Sequence, residues 1–235
     1  MKIALIGNGT MGRLVGELAK ERGHEAALVI DHADVSLSAS ELAAKLAKTE
    51  VAIDFSTAEA VRRNVEACVF AGVSLVEGTT GWNAERDEIE ALVTEGNGSF
   101  VFGANFSIGV NLLYRITGFA AELFARFPEY EVFIEEQHHS RKKDAPSGTA
   151  LKLKEIVGAY IDWEVGVSST RAGNIPGTHR VGFDGTSDQV MLAHTARSRH
   201  GFASGAIVAA EWIKGRKGFF SFDDVMDEIC KGQAE

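Results

Sequence analysis

The chain has 235 residues, of which 45% are hydrophobic and 24% charged, the profile of a globular protein of one or two domains with a substantial core. Its formal charge of -9 and pI near 5.3 argue against nonspecific nucleic-acid binding, which needs a basic field to displace counterions from phosphates. No apolar run is long enough to cross a bilayer, and the two cysteines, Cys68 and Cys230, stand far apart outside any Cys-x-x-Cys pattern, so neither a membrane partner nor a disulfide framework is expected and the expected compartment is the cytoplasm.

The opening run, MKIALIGNGT, ends in glycines where a signal peptide would stay apolar up to a cleavage site, and it reads as a buried strand. From residue 2 short β-rich runs alternate with amphipathic segments. KIALIG is followed by a helix to about Arg22, EAALVID by a helix around Leu42 to Lys48, and VAIDFS by a helix over residues 58–71. VSLVEG then leads to a helix through Ile89 and Leu92, and SFVFGANFS completes five strands by Ser107. This is the rhythm of a parallel sheet, whose right-handed crossovers line the strand C-termini along one edge. Cys68 falls on the helical stripe Val61, Val65, Cys68, Val69, a core position.

A longer helix, roughly residues 112–127, precedes YEVFIEEQHH, and the rhythm changes. After a loop and a helix come EVGVSSTRAG, THRVGFDG and DQVMLAHTAR, separated by Gly, Pro, Asn and Asp, which predicts an antiparallel or mixed sheet with one covered face. The expected fold is therefore α/β: a Rossmann-type dinucleotide-binding domain over residues 1–106 and an α+β substrate domain with a mixed sheet over 107–214. The tail, helical from about Phe219 to Cys230 within a segment of about 215–235, is expected to pack back on the first domain.

Gly7-Asn8-Gly9-Thr10-Met11-Gly12 follows the first strand and opens a helix, the context that gives a G-x-G-x-x-G match its meaning. Gly7 permits the tight turn, Gly9 admits a pyrophosphate to the backbone, and Gly12 allows close helix packing. Asp31 ends the second strand about twenty residues on, where a carboxylate accepts from a ribose diol. It would repel a 2'-phosphate, and no arginine follows it, His32 being the one nearby cation; this favours NADH over NADPH. Gly78-Thr79-Thr80-Gly81-Trp82 and Gly103-Ala104-Asn105-Phe106-Ser107 end the fourth and fifth strands, and each suits either a nicotinamide or a plain strand-to-helix turn.

Residues 135–151 read EEQHHSRKKDAPSGTAL. Strand alternation sets His138 and His139 on opposite faces unless the strand ends there, which disfavours a two-histidine metal site, and no third ligand has matching spacing. Arg141, Lys142 and Lys143 taken alone read as a solvated charged face. Ser147-Gly148-Thr149, however, begins a helix. Ser147 or Thr149 can cap it, and Gly148 leaves room for a carboxylate against the backbone amides. Cations before a helix start make a receptor for a small polycarboxylate, and a histidine beside it can donate a proton near neutral pH.

HHSRKKDAPSGTA over residues 138–150 resembles the signature of the dihydrodipicolinate reductase family, and DFS at Asp54, GTTG at Gly78, NFSIGVN at Asn105, SSTR at Ser168, G-x-H at Gly177 and SRHGFASGA at Ser198 extend the resemblance over nearly the whole chain. The resemblance implies reduction of a cyclic dicarboxylate to tetrahydrodipicolinate by NADH or NADPH, in the diaminopimelate route to lysine. It implies His138 as proton donor and Lys142 as second acid or charge-stabilising group, with His139, Gly148 and Thr149 on the substrate and a hydrogen bond from Ser147. It further implies cofactor contacts from residues 7–12, from Gly78 to Thr80, from Gly103 to Phe106 and from Phe202, and a homotetramer joined through the substrate-domain sheets. The corner Thr10-Met11-Gly12 departs from the family's Gly-Arg-Met-Gly by lacking that arginine. Other two-domain nicotinamide dehydrogenases, or a cofactor-sensing protein without turnover, would share the glycine corner but give no reason for HHSRKKD to abut PSGT.

Overall fold

In the computed structural model, which describes residues 1–232, strands β1 (Lys2–Ile6), β2 (Glu25–Ile30), β3 (Val51–Asp54), β4 (Ser74–Glu77) and β5 (Ser99–Phe102) alternate with helices α1 (Thr10–Glu21), α2 (Ala39–Leu46), α3 (Ala58–Ala71) and α4 (Arg86–Glu95). The strands pair in parallel. Every residue of β3 and β4 is buried, as in strands covered on both faces, whereas β2 at the sheet edge alternates. The apolar stripes of the helices close the core around Ile6, Leu42, Leu46, Val65, Leu75 and Phe100, each such side chain contributing about 1.5–3 kcal/mol on burial. Cys68 lies in the same core, as its place on the α3 stripe predicts.

Then follow α5 (Ile108–Phe124), β6 (Glu131–His138), α6 (Gly148–Gly158), β7 (Gly166–Arg171), β8 (Thr178–Asp184) and β9 (Gln189–Thr195). They form a second unit, Ile108–Gly201. Its sheet has the order β7-β6-β8-β9, with β7 parallel to β6 and the remaining pairs antiparallel. Leu113 and Ala121 of α5 and Leu153 and Val157 of α6 meet Val132 and Ile134 of β6 and Val181 and Phe183 of β8 in one core. The helix starts earlier than residue 112 because the apolar run already begins at Ile108.

The last part of the chain differs from expectation twice. Residues 200–213 form a helix, α7 (His200–Ile213), that periodicity does not announce. Half of it is buried, small residues and two glycines interrupt its stripe, and a helix apolar on most sides has little contrast to read. The expected tail helix is shortened by a strand, β10 (Gly218–Ser221), which joins β5 in parallel and gives the first sheet the order β10-β5-β4-β3-β1-β2. Ser221 then caps α8 (Phe222–Lys231) in a box with Asp224, so the helix begins where Ser-x-x-Asp places it; residues 233–235 lie outside the described residues. The first unit comprises Met1–Ser107 and the chain from Phe202 onward. It thus takes in α7, which residues 107–214 had assigned to the other domain. Glu211 of α7 anchors there, pairing with Arg22 at 2.9 Å and His24 at 2.8 Å.

Ile6, Asp54, Glu77 and Phe102 are successive register partners, so the loops after β1, β3, β4 and β5 leave one edge. At that edge Asp54 and Glu77 are fully buried side by side. Asp54 accepts from the Ser56 amide at 2.8 Å and from Asn64 at 2.6 Å, and Glu77 from the Thr79 amide at 2.7 Å. Burial raises both carboxyls above their ordinary values, and for Glu77 the neighbouring Asp54 charge adds to it, so the pair is favoured when it holds a proton. Folded values above unfolded ones mean that this stabilisation is complete below the unfolded carboxyl range and is lost as pH rises through the folded values. The Tm of the wild type is expected to fall as pH rises from about 5 to 9 more steeply than that of Glu77→Gln, which is neutral throughout. Equal slopes in thermal melts would show that the two carboxyls share no proton.

Candidate active site

In the second unit the alternation of β6 sets Val132, Ile134 and Glu136 toward the covered face, and all three are buried. His138 has the same parity and is the last residue of the strand. His138 Nδ1 lies 2.5 Å from Glu136 Oε2. Arg171, the register partner of His138 on β7, spans the same carboxylate, with its two terminal nitrogens 2.9 Å and 2.6 Å from Oε2 and Oε1. The Arg171 guanidinium also donates to the Asp144 carbonyl at 2.6 Å, and the Ser147 amide donates to Glu136 Oε1 at 3.3 Å. One buried carboxylate therefore joins two strands and the loop that leads into α6.

Ser147 caps α6, its hydroxyl accepting from the Ala150 amide at 3.3 Å and lying 3.0 Å from His179 Nε2. Gly148 is exposed, with open space where a side chain would stand, and Thr149 is half-buried beside it. Pro146 follows a cis peptide bond. Lys142 reaches the Asp144 carboxylate at 2.8 Å, while Arg141 holds Asn174 at 3.0 Å and Lys143 is exposed. Further backbone bonds tie the loop after β6 to that after β7: Ala172 to the His138 carbonyl and Ser140 to the Gly173 carbonyl, both 3.1 Å. His139 lies just beyond the strand end, half-buried, and its Nδ1 has no hydrogen-bond partner among the described residues.

Burial opposes the charge of Glu136, but hydrogen bonds from Arg171, Ser169 and His138 outweigh it and hold the carboxyl at about 2. Burial lowers His138 against the pull of Glu136, with Lys142 and Arg171 adding to the lowering. His179, in edge contact with the His138 ring at 5.1 Å, is pushed by burial and by the His138 charge down to about 4 and is neutral at working pH. Donor atoms of Glu136, His138 and His179 lie within 4.8 Å of one another. Arg171 already neutralises that carboxylate through both oxygens, and Lys142 adds a second cation nearby, so this donor set does not suit a divalent ion. Glu136 is the member that motif reading misses, while Arg171 and His179 fall within the SSTR and G-x-H motifs without a role having been given to either. The signal for Glu136 is a carboxylate at a core-facing position in Val132-x-Ile134-x-Glu136, which burial obliges to find a cation.

In the first unit Gly7 has φ +92°, and a Cβ there would stand 2.5 Å from the Phe55 carbonyl; one on Gly12 would overlap the Gly7 carbonyl. Gly9 has nothing within 4 Å of its Cβ position. It is the N-cap of α1 and supplies no side-chain cap, and Asn8, Gly9 and Thr10 are exposed with Met11 half-buried. A close-packed corner below an open, uncapped helix start fits a dinucleotide pyrophosphate. Asp31 is exposed, accepts from the Ala33 amide at 3.0 Å and caps a short 3-10 turn. Lys45 pairs with Asp34, and Arg63 donates to the Val35 carbonyl at 2.6 Å. Cations distant in sequence thus reach this loop, where His32 had been the one nearby candidate. Gly78 and Thr79 are half-buried and Thr80 exposed, with the Thr79 hydroxyl accepting from the Ser56 amide at 3.0 Å. Beside Gly103 and the exposed Ala104, Asn105 accepts from the Ser107 amide at 2.9 Å. The Phe106 ring is buried between Phe55 and Phe222, which leaves its backbone for any ligand at that edge. Phe202 is half-buried in the first turn of α7.

Residues 1–106 match the family model described as dihydrodipicolinate reductase, N-terminus, and residues 109–226 match the one for its C-terminus. The chain belongs to the dihydrodipicolinate reductase family. A relative named 4-hydroxy-tetrahydrodipicolinate reductase from Christiangramia forsetii is 34% identical, covering 98% of this chain and 100% of the relative. Proteins of the same name from Archaeoglobus fulgidus and Methanococcoides burtonii are each 36% identical, covering 97% and 92% of this chain and 100% and 85% of theirs. Among solved structures, a dipicolinate-bound dihydrodipicolinate reductase from Paenisporosarcina sp. TG-14 superposes with a TM-score of 0.77 at 22% identity, over 95% of this chain and 99% of that one; it shares the fold.

Within this dihydrodipicolinate reductase fold, a Cβ on Gly177 would stand 3.0 Å from His138 Nε2, the nitrogen left open by the Glu136 contact. Gly177→Ala is expected to set a methyl against that nitrogen and lower turnover by about tenfold or more while sparing NADH binding. Steady-state rates beside a cofactor titration check this, and an unchanged rate would mean that Nε2 needs no clear approach.

Proposed function

We propose that this chain reduces 4-hydroxy-tetrahydrodipicolinate, or the dihydrodipicolinate formed by its dehydration, to tetrahydrodipicolinate with NAD(P)H, in the diaminopimelate route to lysine. One observation carries the reading. A histidine and a helix start meet one buried carboxylate held by a guanidinium, and the lysine four residues past the histidine pairs with Asp144, whose carbonyl the same guanidinium holds, in a chain whose relatives are named for this reaction. When bound at the corner of residues 7–12, the reduced dinucleotide supplies the hydride.

The rest is the work of this chain's side chains. The N-terminal turn of α6, with Ser147, Gly148 and Thr149, receives a substrate carboxylate through backbone and hydroxyl donors. His139 adds a donor from the end of β6. Lys142 exchanges Asp144 for the substrate and stabilises negative charge as it develops. His138 delivers the proton. Gly78 to Thr80, Gly103 to Phe106 and Phe202 border the cofactor's nicotinamide half, and Asp31 takes the adenosine ribose, which favours NADH. The acidic carboxylate at that corner repels a 2'-phosphate, while Lys45 and Arg63 are already engaged with Asp34 and a backbone carbonyl. The protein acts in the cytoplasm, in keeping with the lack, among the described residues, of a helix long and apolar enough to cross a membrane. It assembles as a homotetramer through the second-unit sheets, where Val190 and Met191 of β9 are exposed.

Freshly made synthase product is expected to drive oxidation of NADH faster than of NADPH, with inhibition by pyridine-2,6-dicarboxylate. Lys142→Ala is expected to lower kcat by about a hundredfold or more with little change in NADH affinity. Absorbance at the nicotinamide band reads the first and a fluorescence titration the second. Equal or better use of NADPH would overturn the cofactor preference, and full turnover in Lys142→Ala would remove the lysine from the mechanism.

A further inference from the structure

The groups around His138 come from every element beside it: Glu136 on β6, Arg171 on β7, His179 on β8, and Lys142 with Asp144 on the loop before α6. Among the described residues only Glu136 hydrogen-bonds a ring nitrogen, Nδ1 at 2.5 Å. Its carboxylate is buried with 1% of the residue exposed and is held ionised by the two-pronged contact with Arg171. An ionised carboxylate can only accept, so Nδ1 must carry hydrogen. We infer that Glu136, oriented by Arg171, is the positioning residue of the reaction: it fixes His138 as the Nδ1–H tautomer, so that the proton given to substrate is always the one on Nε2.

This inference rests on the reductase reading above. Reduction of one double bond consumes one hydride and one proton. NAD(P)H provides the hydride, and the Nε2–H bond of the imidazolium breaks as the proton passes to substrate. The neutral ring that remains keeps Nδ1–H on Glu136, and solvent returns a proton to Nε2. Glu136 keeps its charge throughout and is never itself the donor. Its negative charge also favours the imidazolium over the neutral ring, against the desolvation and the two cations that oppose it. Without Glu136, Arg171 would face His138 uncompensated, and a neutral histidine would have no fixed tautomer.

The tests are Glu136→Gln and Glu136→Asp, assayed for the pH dependence of kcat and kcat/KM. Removing the anion while Arg171 remains lowers the value at which His138 loses its proton. The basic limb of Glu136→Gln is therefore expected to move down by about one pH unit, with kcat falling about tenfold or more at neutral pH and KM changing less than about threefold. Glu136→Asp, which keeps the charge, is expected to restore the limb toward its wild-type position. A lost rate with an unmoved limb would make Glu136 a fold residue only and overturn the inference, as would an unchanged rate. Nitrogen-15 imidazole spectra of the wild type decide independently if the variants do not fold: a neutral His138 with hydrogen on Nδ1 is expected, and hydrogen on Nε2 overturns the inference. A wild type that shows this tautomer yet leaves the dicarboxylate unreduced would sink the reductase reading, and with it the catalytic role, while leaving the contact intact.

Discussion

A carboxylate with no access to water must find a positive partner or give up its charge, and Glu136 meets that demand through Arg171. The pair is buried on the carboxylate side, and its two parallel contacts set direction as well as charge. Breaking such a pair from one side typically costs about 3–5 kcal/mol, because the remaining ion is stranded in low dielectric. The loop before α6 has few apolar anchors of its own, since residues 139–145 are all exposed or half-buried. Its position relies on what Arg171 and Glu136 reach: the Asp144 carbonyl, the Ser147 amide and the His138 ring. The same contact that stabilises the unit thus sets the spacing between the His138 ring and a helix start.

The first unit buries carboxyls by the opposite route. Among the described residues no cation pairs with Asp54 or Glu77; amides and Asn64 satisfy part of their oxygens, and burial favours the protonated form of each. Both arrangements sit at or near strand ends, where the chain turns out of a sheet into loops. At Asp54 and Glu77 the bonds run to the amides of Ser56 and Thr79, two residues on in each case, so the carboxyls shape the turns above them. At Glu136 the bonds run sideways to other elements. A carboxyl pair without a cation organises its own loops, whereas an ion pair aligned on a histidine biases the charge of that ring.

What could be read from residues alone follows from the range of the interactions. The β-α rhythm, the glycine corner and the run from His138 to Thr149 are local, so their spacing carries the meaning: Gly7 to Gly12 turn and open the helix within six residues, and Ser147 caps the helix it begins. Glu136 and Arg171 are 35 residues apart in sequence and meet because β7 joins β6 in parallel at a register that sets Arg171 opposite His138. No spacing rule announces that. β10 was hidden for a related reason, since Gly218–Ser221 is too short to read as a strand until β5 is there to receive it. In α7 the opposite difficulty holds: apolar and small residues surround the helix, and the contrast that reveals an amphipathic stripe is missing. The candidate residues carried by motifs could be named from the sequence, and Glu136, which bonds the histidine, could not.

The chain's acidity poses a last question, since a formal charge of -9 would repel a dianionic substrate. At physiological ionic strength the field of distant charges fades over about 8 Å, so what the substrate meets is the loop itself. There Arg141, Lys142 and Lys143 are consecutive, and the nearest buried carboxylate is already neutralised by Arg171. Asp144, the acid that follows them, is paired with Lys142 at 2.8 Å and is more than half exposed. A pair open to water is weak, about 0–1 kcal/mol, so a substrate carboxylate that also gains the amides of α6 displaces Asp144 at little cost. The buried pair is too strong to exchange and the exposed pair weak enough to do so, and under the proposed function that difference separates the part of the loop that stays still from the lysine that moves.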